Sequence, residues 1–266
     1  MDIKILFEDN QLMVIDKPAG VTVNRADTVG EETVQDWAER RILNTEYRIP
    51  NKIGLSSPSN HSEFSIQYSV FLQRSGIVHR LDKETSGCLL IAKTEAAFTE
   101  LQRQFKHREI KKEYLALVHG QVEPQQGTIR VPLSRSRLDR QKFTVVPGGR
   151  PAETCYEVVQ VFKGLALPRQ GQALSSYNFT LLHLFPKTGR THQIRVHLKY
   201  FGHPIVADEK YGGKRAAADR ARCPRLFLHA AKISFTHPTN KTQVMVESSL
   251  PEDLKQTLSK LSAGTA

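Results

Sequence analysis

The sequence predicts an α+β fold with a sheet rich in antiparallel strands. Segments with strand-like patterns outnumber segments with helical periodicity, and hairpin-like connections join most of them. The regular alternation of strand and helix that would indicate a parallel sheet does not occur. A length of 266 residues suits one large domain or two small ones, and no internal repeat is visible.

Each expected element rests on a local pattern. Strands are assigned to alternating or short apolar runs bounded by turn residues. Helices are assigned where apolar residues recur every third or fourth residue, as Ala97, Leu101 and Phe105 do. The expected strands are 3–7, 12–16, 88–93, 113–119, 127–133, 141–146, 154–162, 176–185, 225–235 and 242–248, and the expected helices are 33–43, 95–107, 191–200 and 251–261.

Two segments lack such patterns and are expected to be irregular. Residues 44–75 are rich in Asn, Ser and Pro and predict a loop, within which Ile66–Leu72 could form a short extra element. Residues 163–175 contain Gly, Pro and Gln and predict a long hairpin connection between two strands.

The charge balance points to a polyanionic partner. The chain carries a formal net charge of +11, with basic residues clustered at 103–112, 130–142 and 210–225. Such an excess attracts polyanions and speeds their encounter. Separate clusters favour a surface that follows a phosphate backbone over a basic tail, so nucleic acid is the natural candidate.

Composition also argues against several classes of protein. The cysteines are Cys88, Cys155 and Cys223, whose odd number and wide spacing fit neither a disulfide framework nor a zinc cluster. His192 and His197 are five residues apart, which is not the spacing of a helical metal pair. No apolar run approaches the ~20 residues of a membrane span, and the N-terminus carries acids. We expect a cytoplasmic protein with no metal and no membrane partner.

The most informative segment runs from Gly76 to Gly87. It places Asp82 among the bases His79, Arg80 and Lys83, directly before an apolar run. A carboxylate on a loop held by a rigid strand is well placed for chemistry. In isolation, the same segment also fits a solvated turn with a surface ion pair.

The string HRLDKETSG at 79–87 resembles the signature of the RluA family of RNA pseudouridine synthases. The other matches follow in the family's order and extend over roughly residues 3–250. They are the strand and KPAG turn at 12–20, the K-x-Y element at 112–114, the GRTHQIRVH element at 189–197 and the LHA element at 228–230.

This resemblance implies the pseudouridine synthase fold, a central mixed and mostly antiparallel sheet with flanking helices and an active-site cleft. It also implies one catalytic domain over residues 1–266, in which part of the loop at 44–75 is an insertion. The ribosomal-protein-like RNA-binding domain that precedes the catalytic domain in many members is not expected. The expected substrate is structured RNA, either ribosomal or transfer RNA. The reaction needs no cofactor, and we take a monomer as the default.

The resemblance assigns roles to particular residues. Asp82 would be the nucleophile, Arg195 would pair with it, and Tyr114 would stack on the uracil and act as a general base. Without the family, Arg195 reads as a surface arginine and Tyr114 as a core aromatic. Arg80 would fill the gap left by the extruded uridine. Further substrate contacts are expected from His79, Arg190, His192 and Leu228.

Two other functions remain open. A non-catalytic RNA-binding module of the same fold would not need Asp82, Tyr114 and Arg195, all of which are present. A carboxylate-dependent glycoside or nucleoside hydrolase would need a second acid, and only Glu84 is close in sequence.

Overall fold

The structure is a computed structural model that describes residues 1–26, 30–44, 70–169 and 172–263. The chain divides into two compact units. The first comprises Met1–Ile110 and Ser234–Glu247, and the second comprises Lys111–Ile233 and Ser248–Ala266.

The secondary structure consists mainly of strands, with a few helices among them. Residues 70–74 are also helical. The strands are β1 (Ile5–Glu8), β2 (Leu12–Lys17), β3 (Ser86–Ala92), β4 (Lys111–His119), β5 (Gln126–Arg130), β6 (Leu133–Arg135), β7 (Phe143–Val145), β8 (Glu153–Arg169), β9 (Gln172–Pro186), β10 (Leu228–Thr236) and β11 (Gln243–Glu247). The helices are α1 (Val34–Asn44), α2 (Glu95–His107), α3 (Gln193–Tyr200), α4 (Arg215–Asp219) and α5 (Glu252–Ala263).

The first unit is built on the antiparallel strands β1, β2 and β3, in that order. The β2–β3 register runs from Leu12 opposite Ala92 to Lys17 opposite Gly87. Every residue of β3 is buried, as its apolar run predicts. Helix α2 follows at once, and the Thr94 hydroxyl caps it by accepting a hydrogen bond from the Ala97 N–H.

The second unit contains the antiparallel strands β4, β9, β8 and β5, in that order. Tyr114 of β4 lies opposite Leu184 of β9. Strands β6 and β7 form a separate two-stranded ribbon, in which Leu133 lies opposite Val145. The expected α+β class, with a mixed and mostly antiparallel sheet, is confirmed; the single catalytic domain stays a prediction.

Most expected elements are present. Strands β8 and β9 form an antiparallel hairpin as expected, but the long irregular connection expected at 163–175 is wrong. Strands β8 and β9 continue through it, and Leu165 pairs with Tyr177 while Leu167 pairs with Ser175. Register shifts fall between Phe162 and Leu165 and between Leu167 and Arg169, where Gly164 and Pro168 lie. A bulged ladder accommodates glycine and proline, so composition alone does not end a strand.

Other boundaries differ for local reasons. The expected strand 127–133 is divided into β5 and β6, with Pro132, which has no N–H to donate, between them. Helix α3 begins at Gln193 and not at Thr191, because His192 has the left-handed φ of 55°. Helix α4 was not expected. Of the expected insertion, residues 45–69 lie outside the described residues.

Candidate active site

The loop that carries Asp82 begins where the chain presses against strand β3. Gly76 has φ +72°, and a Cβ there would lie 1.9 Å from the Ala92 carbonyl oxygen. Ile77 then forms an isolated antiparallel β-bridge with Ile91 of β3, and the loop begins after it. Further along, Arg80 is exposed and Asp82 is half-buried. The strand thus fixes the start of the loop, and glycine is required for that approach.

A buried lysine fixes the middle of the same loop. Lys17 is 0% exposed, and its Nζ donates to the carbonyl oxygens of Pro18 at 2.7 Å, Val21 at 2.8 Å and Lys83 at 3.0 Å. The Gly20 N–H donates to the same Lys83 carbonyl at 2.9 Å. The KPAG turn and the residue after Asp82 therefore form one hydrogen-bonded structure.

His79 anchors the loop from its other side. Its Nε2 accepts a hydrogen bond from the Leu90 N–H at 2.9 Å. Its ring lies 4.8 Å from the ring of Phe105, measured between centroids. These contacts hold His79 against β3 and α2. The expectation that it touches substrate stays a prediction.

In the second unit, Arg195 forms a bidentate ion pair with Asp208. Nε donates to Oδ2 at 2.8 Å and Nη2 to Oδ1 at 2.7 Å. Both side chains are buried, and that of Asp208 has no exposed surface. Sequence reasoning missed Asp208, whose partner lies 13 residues away in the chain. Arg195 is therefore a buried, oriented guanidinium and not the surface arginine of the alternative interpretation.

Tyr211 was also missed, and it joins several parts of this site. The Arg195 Cζ lies 5.1 Å from the centroid of the Tyr211 ring. The Tyr211 hydroxyl accepts a hydrogen bond from the Phe143 N–H at 2.9 Å and is hydrogen-bonded to His192 Nδ1 at 2.8 Å. The second unit thus brings Arg195 and His192, both expected site residues, to one tyrosine.

Gln193 organises the turn before α3. Its side-chain carbonyl accepts from the Thr188 hydroxyl at 2.7 Å and the Arg190 N–H at 3.0 Å, and its amide donates to the Glu153 carbonyl at 3.0 Å. Arg190 itself donates from Nε to the Pro151 carbonyl at 3.2 Å. A fully bonded, buried glutamine explains how this turn holds its shape.

The remaining expected residues lie on strands of the second unit. Tyr114 is 9% exposed on β4, and Leu228 is 2% exposed at the start of β10. Lys112 lies two residues before Tyr114, so both side chains point to the same face of β4. Burial lowers the pKa of Lys112 to about 8. The strand face that carries Tyr114 therefore also carries an amine whose pKa lies below that of an exposed lysine.

Acidic partners neutralise part of the positive charge of the basic clusters. Arg103 pairs with Glu100 and Glu109, Arg220 pairs with Glu209, and Arg225 pairs with Asp253. Arg135 at the end of β6 is exposed, as are Arg137, Leu138 and Arg140 in the turn that follows. This turn is thus a strongly positive surface in the second unit.

An open surface pocket of about 490 Å³ lies between Val78 and helix α2 in the first unit. Val78, Phe105, Lys106 and His107 are among the residues that line it. Within the described ranges, no group of three or more His, Cys, Asp or Glu side chains is placed to hold a metal ion. Nor does that part of the chain contain a helix long and apolar enough to span a bilayer.

Comparison with known proteins gives consistent similarities. A family model described as RNA pseudouridylate synthase matches residues 11–200. The chain is 38% identical to the ribosomal large subunit pseudouridine synthase D of Nitrosomonas europaea over 95% of its own length and 63% of that relative. It is 32% identical to an uncharacterized RNA pseudouridine synthase of Bacillus subtilis, YlyB, over 98% of its length and 73% of that relative.

A solved structure shares the fold. Human RNA pseudouridylate synthase domain containing 4 superposes with a TM-score of 0.64 at 23% identity. The match covers 97% of this chain and 93% of the human chain.

Proposed function

This chain belongs to the RNA pseudouridylate synthase family, and from that membership we propose that it isomerises specific uridines of ribosomal RNA to pseudouridine, with Asp82 as the nucleophile. The observation that carries the proposal is the Asp82 loop, whose backbone Lys17 and the KPAG turn hold in place. The choice of ribosomal RNA rests on the name of the relative from Nitrosomonas europaea.

The chemistry suits a single carboxylate. The bond between uracil N1 and ribose C1′ breaks, a bond between C5 and C1′ forms, C5 loses its proton and N1 gains one. Carboxylates act as nucleophiles at such centres in retaining glycosidases, where a second carboxyl group activates water. Here the detached uracil is recaptured, so one carboxylate suffices and water has to be excluded.

Arg195 is proposed to pair with Asp82 and to orient its carboxylate. An arginine guanidinium binds carboxylates with fixed, directional hydrogen bonds. Asp208 engages Nε and Nη2 of the guanidinium, and the proposal assigns the opposite edge to Asp82. Arginine has five donors in a rigid plane, so it can serve two carboxylates at once.

The other roles concern access to the base. Tyr114 is proposed to stack on the extruded uracil and to act as general base. Arg80 is exposed on the Asp82 loop, which suits a residue that fills the space left in the RNA stack. Arg190 and His192, both half-buried, are proposed to contact the RNA. The packing of His79 and Leu228 supports a role in shaping the site around the substrate.

Tritium release tests the proposal. Ribosomal and transfer RNA transcripts carrying tritium at uracil C5 would be incubated with wild type, with Asp82→Ala and with Glu84→Ala as a neighbouring-acid control. We expect release from the ribosomal pool by wild type and Glu84→Ala but not by Asp82→Ala. Release from transfer RNA alone would overturn the choice of substrate.

Two results would favour the alternatives. Free uracil among the products would indicate a hydrolase. RNA binding without any release from either pool would indicate a non-catalytic RNA-binding module.

A further inference from the structure

Arg195 is held from two directions by side chains that the family resemblance does not assign. Asp208 accepts hydrogen bonds from Nε and Nη2 of the guanidinium, and the Tyr211 ring packs against the guanidinium group. We propose that Asp208 and Tyr211 are positioning residues that set the orientation in which Arg195 serves the reaction. The inference rests on the proposed function, since Arg195 has to act there for its orientation to matter.

The Asp208 carboxylate is itself fixed by the backbone. Besides Arg195, its Oδ1 accepts hydrogen bonds from the N–H groups of Lys210 and Tyr211, each at 3.0 Å. A carboxylate with these backbone donors has little freedom to rotate, so it transmits the position of its loop to the guanidinium.

A second buried carboxylate supports that loop. Ala207, directly before Asp208, has the left-handed φ of 57°. Its N–H donates to Asp219 Oδ2 at 2.9 Å, and the same oxygen lies 2.9 Å from His119 Nε2. A non-glycine residue in this conformation persists when its surroundings fix it. The hydrogen bond from Ala207 to Asp219 provides such a constraint directly before Asp208, the partner of Arg195.

Tyr211 extends the support to the β6–β7 ribbon. Its hydroxyl accepts from the Phe143 N–H of β7 and is hydrogen-bonded to His192, the residue before α3. Its ring lies 5.1 Å from the Arg195 Cζ. One side chain therefore connects β7, the residue before α3 and the guanidinium.

The competing explanation is that the Asp208–Arg195 pair only stabilises the fold. The same unit contains a matched pair for comparison. Arg225 donates to Asp253 from Nε at 2.6 Å and from Nη2 at 3.1 Å, also with bidentate geometry. Neither of these residues is an expected site residue. The Asp253 side chain is 37% exposed and that of Asp208 is 0% exposed, so Asp253→Asn removes a less buried bidentate pair without touching the proposed support.

The experiment compares Asp208→Asn, Tyr211→Leu and Asp253→Asn with wild type by tritium release at saturating and limiting RNA. Asn keeps the shape of Asp208 but presents an amide donor where Arg195 also donates. A misplacement of about 1 Å costs on the order of 10²-fold in rate, so we expect kcat to fall ~10- to 100-fold in the first two variants, with KM within about 2-fold. Asp253→Asn should lower the melting temperature but leave kcat unchanged.

A double-mutant cycle separates positioning from stability. If Asp208 acts through Arg195, Asp208→Asn should add little to the defect of Arg195→Lys, since both changes remove the same bidentate geometry. Additive losses in kcat would overturn the proposal. Circular dichroism and melting curves identify the variants that are folded. If Asp208→Asn is not folded, the kcat of Tyr211→Leu tests the proposal instead.

The outcomes also separate this inference from the proposed function. An inactive wild type would remove the proposed function. If wild type is active and folded Asp208→Asn and Tyr211→Leu keep the wild-type kcat, only the positioning roles of Asp208 and Tyr211 would be refuted.

Discussion

The Nζ of Lys17 donates a hydrogen bond to the carbonyl oxygen of Lys83, 66 residues later in the chain. Lys83 directly follows Asp82, and Lys17 is fully buried. The same ammonium group also bonds to the carbonyls of Pro18 and Val21. The position of the Asp82 loop thus depends on a side chain near the N-terminus.

Lys17→Met should therefore impair both stability and turnover. The change leaves the carbonyls of Pro18, Val21 and Lys83 without their charged donor, and hydrogen bonds to charged groups contribute about 1.5–3 kcal/mol each. The net effect is smaller than the sum over three bonds, because Lys17→Met also removes the desolvation cost of a buried ammonium group. We therefore expect the free energy of unfolding to fall by about 3 kcal/mol. Urea titration and tritium release would measure the two effects. Lys83→Met is the control, since it keeps the backbone carbonyl that Lys17 binds. Equal losses of stability and turnover in the two variants would refute the role assigned to the Lys17 ammonium group.

Arg195→Ala should sharply slow turnover, because Asp82 would lose the guanidinium that the proposal pairs with it. The same change leaves Asp208 as an uncompensated buried charge, and breaking a buried pair costs about 3–5 kcal/mol. Rates are therefore compared at a temperature where circular dichroism shows the variant to be folded. Near-normal turnover of folded Arg195→Ala would rule out the assigned role.

Tyr114→Phe separates the two proposed functions of that ring. The stacking surface remains and the hydroxyl is lost. We expect loss of turnover with retained RNA binding, measured by tritium release and filter binding. General base catalysis typically contributes ~10²- to 10⁴-fold, so a smaller decrease would leave stacking as the only role.

Arg80→Ala should impair structured RNA more than an unstructured oligonucleotide with the same target uridine. Extruding a stacked base costs a few kcal/mol, whereas an unstructured strand has little to extrude. The ratio of kcat/KM for the two substrates is the measurement. If both substrates lost activity equally, Arg80 would be an ordinary phosphate contact.

The pH dependence of stability should include a contribution from His197. Burial lowers the pKa of this imidazole, so the unfolded chain binds the proton more readily than the folded chain. Stability is therefore present above the unfolded value near 6.5 and is lost as pH falls below it, by at most about 1.4 kcal/mol per pH unit.

His197→Asn checks this assignment. Asparagine can keep the hydrogen bond to the Thr154 hydroxyl, which lies 3.0 Å from His197 Nδ1, but it does not titrate. Urea denaturation at pH 7.5 and at pH 5.5 should show a smaller loss of stability in the variant than in wild type. Equal losses in the two proteins would show that other groups cause the dependence.

Local patterns predicted much of the fold. The apolar run after Gly87 became the fully buried strand β3, and the periodic apolar residues at 97, 101 and 105 lie on α2. Composition was misleading at 163–175, where the pairing of β8 with β9 outweighs glycine and proline. Pairing between distant strands has no local signature, so the extent of these strands was not predictable from a sequence window.

The candidate site was predicted unevenly for a related reason. Asp82, Tyr114 and Arg195 stand in distinctive strings, so resemblance identified them. Asp208 and Tyr211 flank the charged residues Glu209 and Lys210, and this short polar segment is typical of a solvated turn. Their importance comes from contacts with Arg195 that only folding creates.

Gly76 has a practical consequence for mapping this protein by saturation mutagenesis. Any side chain at that position collides with the Ala92 carbonyl and requires a left-handed backbone. In a selection for activity, codon 76 should accept glycine only, even though the residue carries no functional group. It would serve as an internal standard that reports how stringently a library selects for a correctly built loop.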